Sequence, residues 1–274
     1  MNALTVAAIL GIVEGLTEFL PVSSTGHLIL AGNLLGFVGE QASSFEVVIQ
    51  LGAILSVVFL YWRRFLGLIP ARKRTFAPRE STLEGWSGLW RIGLATLPAL
   101  LVGFLARHAI KDQLFNPEAV TLALAVGGVA ILLVERYGAR RNPNPVDTIT
   151  LGQAVGVGLF QVLALWPGTS RAAATIIGGM LLGLDRKSAA EFSFLIAVPV
   201  MFAATGYEFI KMHNQMAFQD SLQLGIGFVV SFIVALIAVK GFVSFLQRGK
   251  LTPFAWYRIV AAPIFYFLTR GLSF

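Results

Sequence analysis

The sequence contains no cysteine and few histidines. None of its 274 residues is Cys, and three are His. The absence of cysteine excludes disulfides, thiolate metal sites and cysteine nucleophiles. The histidines are widely separated (His27, His108 and His213), and no His-Glu-x-x-His motif brings two of them together, which argues against a zinc site.

Charged residues are also scarce. They make up 13% of the chain, against 56% hydrophobic residues, and the mean hydropathy is +0.77. This composition is typical of an integral membrane protein. The apolar runs are long and do not alternate, so helices rather than barrel strands should cross the bilayer. We predict an all-α polytopic membrane protein with a single membrane domain, residues 1–274.

The amino-terminal segment has no basic region, and Glu14 and Glu18 interrupt its apolar run. We therefore expect it to be retained rather than cleaved as a signal peptide.

The net charge of +7 comes from basic residues in short loops. The positive-inside rule places these loops in the cytoplasm, beside anionic membrane lipids, and makes a nucleic-acid partner unnecessary. The other loops are mixed or acidic and should face outward, with both termini on the outer side. The basic loops are 63–91, 136–141, 186–187 and 248–250, and the outer loops are 36–46, 107–118 and 211–221.

Six apolar windows are long enough to cross about 30 Å of hydrocarbon. Two further apolar segments are broken in the middle by Pro21 and Pro167, each followed by small polar residues. Non-helical backbone at membrane depth must be surrounded by protein or line a cavity, so we predict two re-entrant helix hairpins, 4–35 and 151–184. The predicted transmembrane helices are 47–62, 89–105, 119–134, 192–210, 222–246 and 254–270.

The two halves of the chain look duplicated. Aligning Pro21 with Pro167 also aligns Ser24 with Ser170 and nearly superposes 44–47 on 190–193. One hairpin and three spans per half is an odd number of crossings, which predicts an inverted repeat of about 1–146 and 147–274. The alternative is chance similarity between two Gly/Pro-rich segments.

The first polar segment carries two carboxylates. Glu14 and Glu18 are four residues apart, so a helix places them on one face. They suit a divalent cation, Mg²⁺ or Ca²⁺, or a carboxylate that acts as a base. The alternative is a structural pair hydrogen-bonded to neighbouring helices.

Hydroxyls and a histidine follow in the same segment. Ser23, Ser24 and Thr25 suit a helix N-terminus, where they act as caps or bind an anion. His27, three residues after Ser24, can share its helix face, as in a nucleophile–base arrangement.

The second polar segment adds a fixed positive charge. The Arg171 guanidinium suits bidentate phosphate binding, and the small residues before it let backbone amides approach the same anion. Alternatively, Arg171 is a counter-ion for Glu14 or Glu18. Thr175 adds a hydroxyl on the same face or bonds a helix carbonyl. The small residues are Gly168, Thr169 and Ser170.

These two segments, together with residues 45–52, resemble the motifs of the bacterial undecaprenyl-pyrophosphate phosphatase family linked to bacitracin resistance. The resemblance extends over essentially the whole chain. It implies an inner-membrane hydrolase that removes the terminal phosphate of undecaprenyl pyrophosphate and so recycles the lipid carrier for cell-wall synthesis. Separately from the resemblance, the positive-inside rule has the first hairpin enter from the outer side, so we expect the site to open to the periplasmic side. We also expect that the chain can form a homodimer.

The family motifs match this sequence residue by residue. Glu14 and Glu18 match the acidic motif, Ser24 and His27 the serine and histidine. The second motif is matched by Ser170, Arg171 and Thr175. Many members have serine after the arginine, where this chain has Ala172, so a hydroxyl there is not essential.

Two routes stay open at this point. Either Ser24 attacks phosphorus with assistance from His27, or His27 and a glutamate activate water or protonate the leaving group. Another class of function, an inverted-repeat transporter or lipid flippase, would use the same pocket without reaction. A phosphatidic-acid-phosphatase type is a poor match, because no histidine and aspartate follow Arg171 at the required spacing.

Overall fold

The chain folds as a bundle of α-helices in a computed structural model that describes residues 2–70, 81–138, 145–212 and 221–270. The described ranges form helices joined by turns, with no β-strand, which confirms the all-α prediction. His213 and parts of the predicted loops 63–91, 136–141 and 211–221 lie outside them. The helices are α1 (Ala3–Thr17), α2 (Ser24–Leu35), α3 (Glu40–Leu60), α4 (Trp62–Gly67), α5 (Gly85–Leu114), α6 (Pro117–Tyr137), α7 (Leu151–Val162), α8 (Arg171–Leu181), α9 (Arg186–Met212), α10 (Ser221–Leu246) and α11 (Thr252–Thr269).

Within the described residues, four helices are long and apolar enough to cross a membrane: α5, α6, α9 and α10. Together they establish a polytopic membrane protein. The predicted spans 47–62 and 254–270 correspond to α3 and α11, and the apolar part of α3, Ser44–Leu60, is shorter. Several helices extend beyond the predicted spans, so that only two residues separate the end of α5 at Leu114 from the start of α6 at Pro117.

Both segments containing an internal proline consist of two short helices separated by a turn. α1 and α2 flank a turn that contains Pro21. α7 and α8 flank the 3-10 turn Leu163–Leu165 and a turn that contains Pro167. Proline lacks a backbone N–H, but Pro98, Pro199 and Pro263 lie inside helices, so proline alone does not cause the breaks. Pro21 and Pro167 differ in that small polar residues follow them, as Val22-Ser23-Ser24 and Gly168-Thr169-Ser170.

Close helix packing holds these segments in the bundle. A Cβ on Gly11 would lie 2.7 Å from the carbonyl oxygen of Gly227, and one on Gly15 would lie 2.7 Å from that of Ser231, so only glycine lets α1 approach α10 this closely. α8 packs on α7 and α9 and is buried from Ala172 to Met180. α6 packs along α11. The two turns therefore lie inside the protein.

Candidate active site

The two turns end in the same backbone conformation. Ser23 has φ 75° and ψ 94°, and Ser170 has φ 70° and ψ 117°, a region that residues with a side chain rarely adopt. Ser24 is the next residue and begins α2, and Arg171 likewise begins α8. The backbone conformations thus pair Ser23 with Ser170, whereas the sequence alignment pairs Ser24 with Ser170. Ser24 and Arg171 occupy equivalent positions at two helix N-termini.

Glu18 contacts the first residue of both helices. Its Oε2 accepts a hydrogen bond from Ser24 Oγ at 2.5 Å, and its Oε1 lies 3.3 Å from Arg171 Nη2. The side chain of Glu18 is 6% exposed and that of Arg171 is 11% exposed. One buried carboxylate therefore joins the two polar segments.

Two of the three guanidinium nitrogens of Arg171 have hydrogen-bond partners among the described residues. Its Nη1 donates to the backbone carbonyl of Ser193 at 3.1 Å, and its guanidinium lies 5.7 Å from the ring centre of Phe19. The buried Nε has no hydrogen-bond partner among the described residues. A buried donor without a partner is costly, so Nε is suited to an incoming anion such as a phosphate oxygen.

Glu14 is fully buried, and in the part of the chain that the structure describes neither of its carboxylate oxygens has a hydrogen-bond partner. An isolated buried carboxylate is strongly unfavourable, so this group needs a proton or a cation. Its position one turn before Glu18 on α1 places the unsatisfied oxygens beside the joined segments.

The two glutamates fit a hard divalent cation. Carboxylate oxygens are ligands that Mg²⁺ and Ca²⁺ prefer, and the unsatisfied oxygens of Glu14 lack any other partner. No group of three or more His, Asp or Glu side chains suited to a metal exists among the described residues. From the described residues, Glu14 and Glu18 would thus supply two carboxylates, with water and substrate phosphate as the remaining ligands.

His27 is turned toward α11. Its Nδ1 lies 2.7 Å from the carbonyl oxygen of Ser23, and its Nε2 lies 2.5 Å from the hydroxyl of Tyr257. Because a carbonyl only accepts, the proton is assigned to Nδ1, and in the neutral ring Nε2 accepts from Tyr257. The two rings are stacked with centroids 5.6 Å apart. Ser24 has Glu18, not His27, as its hydrogen-bond partner.

The other predicted hydroxyl and glycine positions have mainly local roles. Ser170 Oγ accepts from the amide of Ala173 at 3.1 Å and so caps α8. The Thr175 hydroxyl donates to the carbonyl of Arg171 at 2.8 Å and lies 2.6 Å from Ser193 Oγ.

Gly168 has φ 93°, and a Cβ there would clash with the carbonyl oxygen of Val120. The amide of Thr169 donates to the carbonyl of Trp166. Ser23 is buried, and Thr25 is exposed.

An apolar groove of about 490 Å³ begins beside His27. It runs between α2 and α11, and its walls are almost entirely hydrocarbon and aromatic. The residues that define it include Leu30, Leu124, Trp256, Val260, Ile264 and Phe265.

The structure adds two residues that the motifs do not contain, Tyr257 and Arg258. Tyr257 bonds His27, and Arg258 is fully buried. A signal for Arg258 exists in the sequence, because it is an ionisable residue inside the predicted span 254–270. Nothing in the sequence singles out Tyr257, since aromatic residues are common in such spans.

Similarity to known proteins covers nearly the whole chain. Residues 7–264 match the family described as bacitracin resistance protein BacA. An undecaprenyl-diphosphatase of Solidesulfovibrio magneticus is 57% identical over 262 residues, 95% of this chain and 97% of that protein. One from Maridesulfovibrio salexigens is 54% identical over 267 residues, 97% of this chain and 99% of the relative. One from Desulfovibrio desulfuricans is 51% identical over 272 residues, 98% of this chain and 100% of the relative.

Proposed function

The chain belongs to the BacA family of bacitracin resistance proteins, and from this premise we propose how it acts on undecaprenyl pyrophosphate. It is a phosphoric anhydride hydrolase that converts undecaprenyl pyrophosphate to undecaprenyl phosphate and inorganic phosphate. The reaction returns the lipid carrier to peptidoglycan synthesis and gives bacitracin resistance. The proposal concerns the residues, the membrane arrangement and the cation.

The contact of Ser24 Oγ with Glu18 Oε2 at 2.5 Å carries the proposed mechanism. A hydroxyl paired with a buried carboxylate is the arrangement expected of a nucleophile and its base. The pair lies at the N-terminus of α2, where backbone N–H groups favour an anion. Ser24 is therefore the proposed nucleophile and Glu18 the proposed general base.

In the first step, Ser24 Oγ attacks the terminal phosphorus and Glu18 accepts the hydroxyl proton. The bond between that phosphorus and the bridging oxygen breaks, and undecaprenyl phosphate leaves. In the second step, water attacks the phosphorus of the phosphoserine and the bond between that phosphorus and Ser24 Oγ breaks. Glu18 returns its proton to Ser24 Oγ, and inorganic phosphate leaves with the oxygen and both protons of the water. Direct attack by a water that His27 or a glutamate activates is the alternative route.

Arg171 is the proposed anion-binding residue. Its free Nε and its guanidinium plane suit a terminal phosphate, and phosphoryl transfer depends mainly on such positioning and charge neutralisation. The other residues proposed to bind substrate lie next to these groups. They are Gly168, Thr169, Ser170 and Thr175 near Arg171, and Ser23 and Thr25 on either side of Ser24. Glu14 and Glu18 would hold the divalent cation, Mg²⁺ or Ca²⁺, which when bound neutralises charge on the pyrophosphate oxygens.

The groove beside His27 is the proposed binding site for the prenyl tail. An isoprenoid chain is insoluble in water, and burial of apolar surface in a hydrocarbon-lined groove favours its binding. The pyrophosphate then lies at the end of the groove beside His27, between the two turns.

We propose six transmembrane helices and two re-entrant hairpins in an inverted repeat, at residues 1–146 and 147–274. The paired short helices α1–α2 and α7–α8, and the matching conformations of Ser23 and Ser170, support this arrangement. The positive-inside rule supports a multi-pass protein of the bacterial inner membrane with the site open to the periplasm. Labelling of a Thr25→Cys variant from the cytoplasmic side alone would contradict that orientation.

The test is phosphate release from undecaprenyl pyrophosphate by purified protein in detergent, with and without EDTA. We expect metal-dependent release that falls at least about 100-fold in Glu18→Ala and Arg171→Ala, in line with the loss of a group that stabilises the transition state. The matched control Arg248→Ala removes an exposed arginine and should retain wild-type activity.

The same assay separates the enzyme from a transporter. Release in detergent, without any gradient, supports the hydrolase, whereas lipid movement in vesicles with no phosphate release supports a flippase. A homodimer is also proposed, and the mass of the detergent-solubilised protein tests it.

A further inference from the structure

Arg258 is buried without a carboxylate partner. It lies on α11, its side chain is fully inaccessible, and no Asp or Glu of the described residues forms an ion pair with it. A buried guanidinium normally requires a carboxylate or a complete set of hydrogen bonds. Arg258 has a complete set of hydrogen bonds.

All five N–H groups of Arg258 donate to backbone carbonyls. Nη1 donates to Pro21 at 3.2 Å and to Thr169 at 3.0 Å. Nη2 donates to Ala123 and to Gly168, each at 3.0 Å, and Nε donates to Leu124 at 3.2 Å. Five donors are the full capacity of a guanidinium, so no other side chain can take this place.

The acceptors come from three parts of the chain. Pro21 belongs to the turn before Ser24, Gly168 and Thr169 belong to the turn before Arg171, and the other two carbonyls belong to α6. The side chain of Arg258 therefore bonds both turns and α6 at the same time.

Gly127 on α6 provides the space for the guanidinium. A Cβ at this position would overlap Arg258 Nη2 and lie 2.8 Å from Arg258 Cζ. The carbonyls of Ala123 and Leu124 lie one turn earlier on α6, so a side chain at 127 would block the approach to them.

We propose that Arg258 is a positioning residue for hydrolysis, which fixes Ser24 and Arg171 around Glu18 by clamping the two turns together. The inference rests on the proposed function and adds a residue outside both sequence motifs. Arg258 does not contact Glu18, Ser24 or Arg171 through any hydrogen bond, so it acts through the backbone.

The clamp also restricts the direction of one amide. In a trans peptide the carbonyl and the following N–H point in opposite directions. With the Thr169 carbonyl fixed on Arg258, the N–H of Ser170 is directed away from Arg258. It is then available at the N-terminus of α8 for a phosphate oxygen.

Three variants test the clamp. Arg258→Met keeps the volume but removes every donor, Arg258→Lys leaves three donors on a single atom, and Gly127→Ala displaces the guanidinium without altering it. We expect kcat to fall about 100-fold in Arg258→Met, with smaller losses in the other two and KM changed by less than about threefold, because a misplacement near 1 Å costs about that much.

The matched control is Arg186→Met. Arg186 also joins two helices, through Glu135 at 2.6 Å, but lies outside the site. A loss of thermal stability with wild-type kcat is expected. If Arg258→Met and Gly127→Ala behave in the same way, with kcat retained, Arg258 is only structural and the proposal fails.

A second measurement does not depend on activity. Because the chain has no cysteine, spin labels can be placed uniquely at Leu16→Cys and Leu163→Cys, which are exposed positions near the two turns. Pulsed electron resonance should give a narrow distance distribution in the otherwise native protein and a broadened or shifted one in Arg258→Met. An unchanged distribution overturns the clamp, even if the wild type proves not to hydrolyse undecaprenyl pyrophosphate. That last result would contradict only the proposed function.

Discussion

Ser24 Oγ lies 2.5 Å from Glu18 Oε2, whereas both ring nitrogens of His27 are occupied by Ser23 and Tyr257. A base must be within hydrogen-bond reach of the proton that it removes. This geometry favours Glu18 over His27 as the partner of Ser24, and it leaves His27 at the entrance of the apolar groove.

Ser24→Ala should reduce kcat at least about 100-fold, because it removes the attacking oxygen, which general-base assistance cannot replace. Steady-state phosphate release measures the loss, and acid quenching during turnover should trap phosphate on Ser24 in the native protein. Ser244→Ala, an exposed serine on α10, is the matched control and should retain wild-type kcat. Full activity of Ser24→Ala would exclude the serine route and leave attack by water.

Glu14→Gln should raise the concentration of divalent cation needed for half-maximal activity about tenfold or more, since it removes one of two carboxylate ligands. Titration of EDTA-treated protein with Mg²⁺ and with Ca²⁺ measures this. Gln keeps the size of the side chain, so the fold should be retained. An unchanged cation requirement would show that Glu14 is not a ligand.

Val260→Trp should fill the groove and weaken binding of the long tail. Loss of contact with two or three methylene groups at about 0.8 kcal/mol each predicts an increase in KM for undecaprenyl pyrophosphate of roughly 10- to 50-fold. Farnesyl pyrophosphate, whose tail is short, should be affected much less. Val229→Trp on α10 is the control, because this residue is similarly exposed but lies outside the groove. Equal effects on both substrates would argue against a tail site here.

Asp147 provides a pH test outside the membrane-spanning helices. Burial would raise the pKa of Asp147, but hydrogen bonds from Arg64 and Ser81 and the charge of Arg64 lower it below its usual value. A carboxyl group with a lowered pKa in the folded state stabilises the protein above its unfolded pKa, near 4, and loses this contribution as the pH falls through its folded pKa. Its contact with Arg64 Nη1 is 2.5 Å.

Asp147→Asn should therefore cost up to about 1 kcal/mol of unfolding free energy at pH 7, and the difference from wild type should shrink below pH 4. Thermal unfolding in detergent across this pH range measures it. The exposed Asp112→Asn is the control and should show no such difference. A constant difference at every pH would mean that the hydrogen bonds, not the charge, stabilise this contact.

Local patterns in the sequence predict the helical class, the breaks at Pro21 and Pro167, and the family. These features depend on composition, on proline followed by small polar residues and on short motifs, all of which are visible without tertiary structure. Helix ends are less predictable: α5 runs through Pro98 to Leu114, beyond the predicted span 89–105. The added residues 106–114 are mostly exposed and include charged side chains, so a hydropathy window that selects apolar spans leaves them out.

The site is predictable as a set of residues but not as a set of contacts. The two motifs contain Glu18, Ser24 and Arg171, which the structure brings together. The one-residue offset that pairs Ser23 with Ser170 follows from backbone torsions, which an alignment of letters does not contain. The role of Arg258 depends on backbone carbonyls that are 89 to 237 residues away in the sequence. Because every residue type has a carbonyl, the sequence does not show which residues accept these hydrogen bonds.

The position of Arg258 on the last helix has a consequence for biosynthesis. The ribosome synthesises the chain from its amino terminus. The contact between Glu18 and Arg171 therefore cannot form until 153 further residues have been made, and the contact between Pro21 and Arg258 cannot form until 237 have been made. A nascent chain that stops before α11 already contains every motif residue but lacks the side chain that joins the two turns. With Arg258 as the proposed clamp, we expect the site to be complete only after the final helix has inserted.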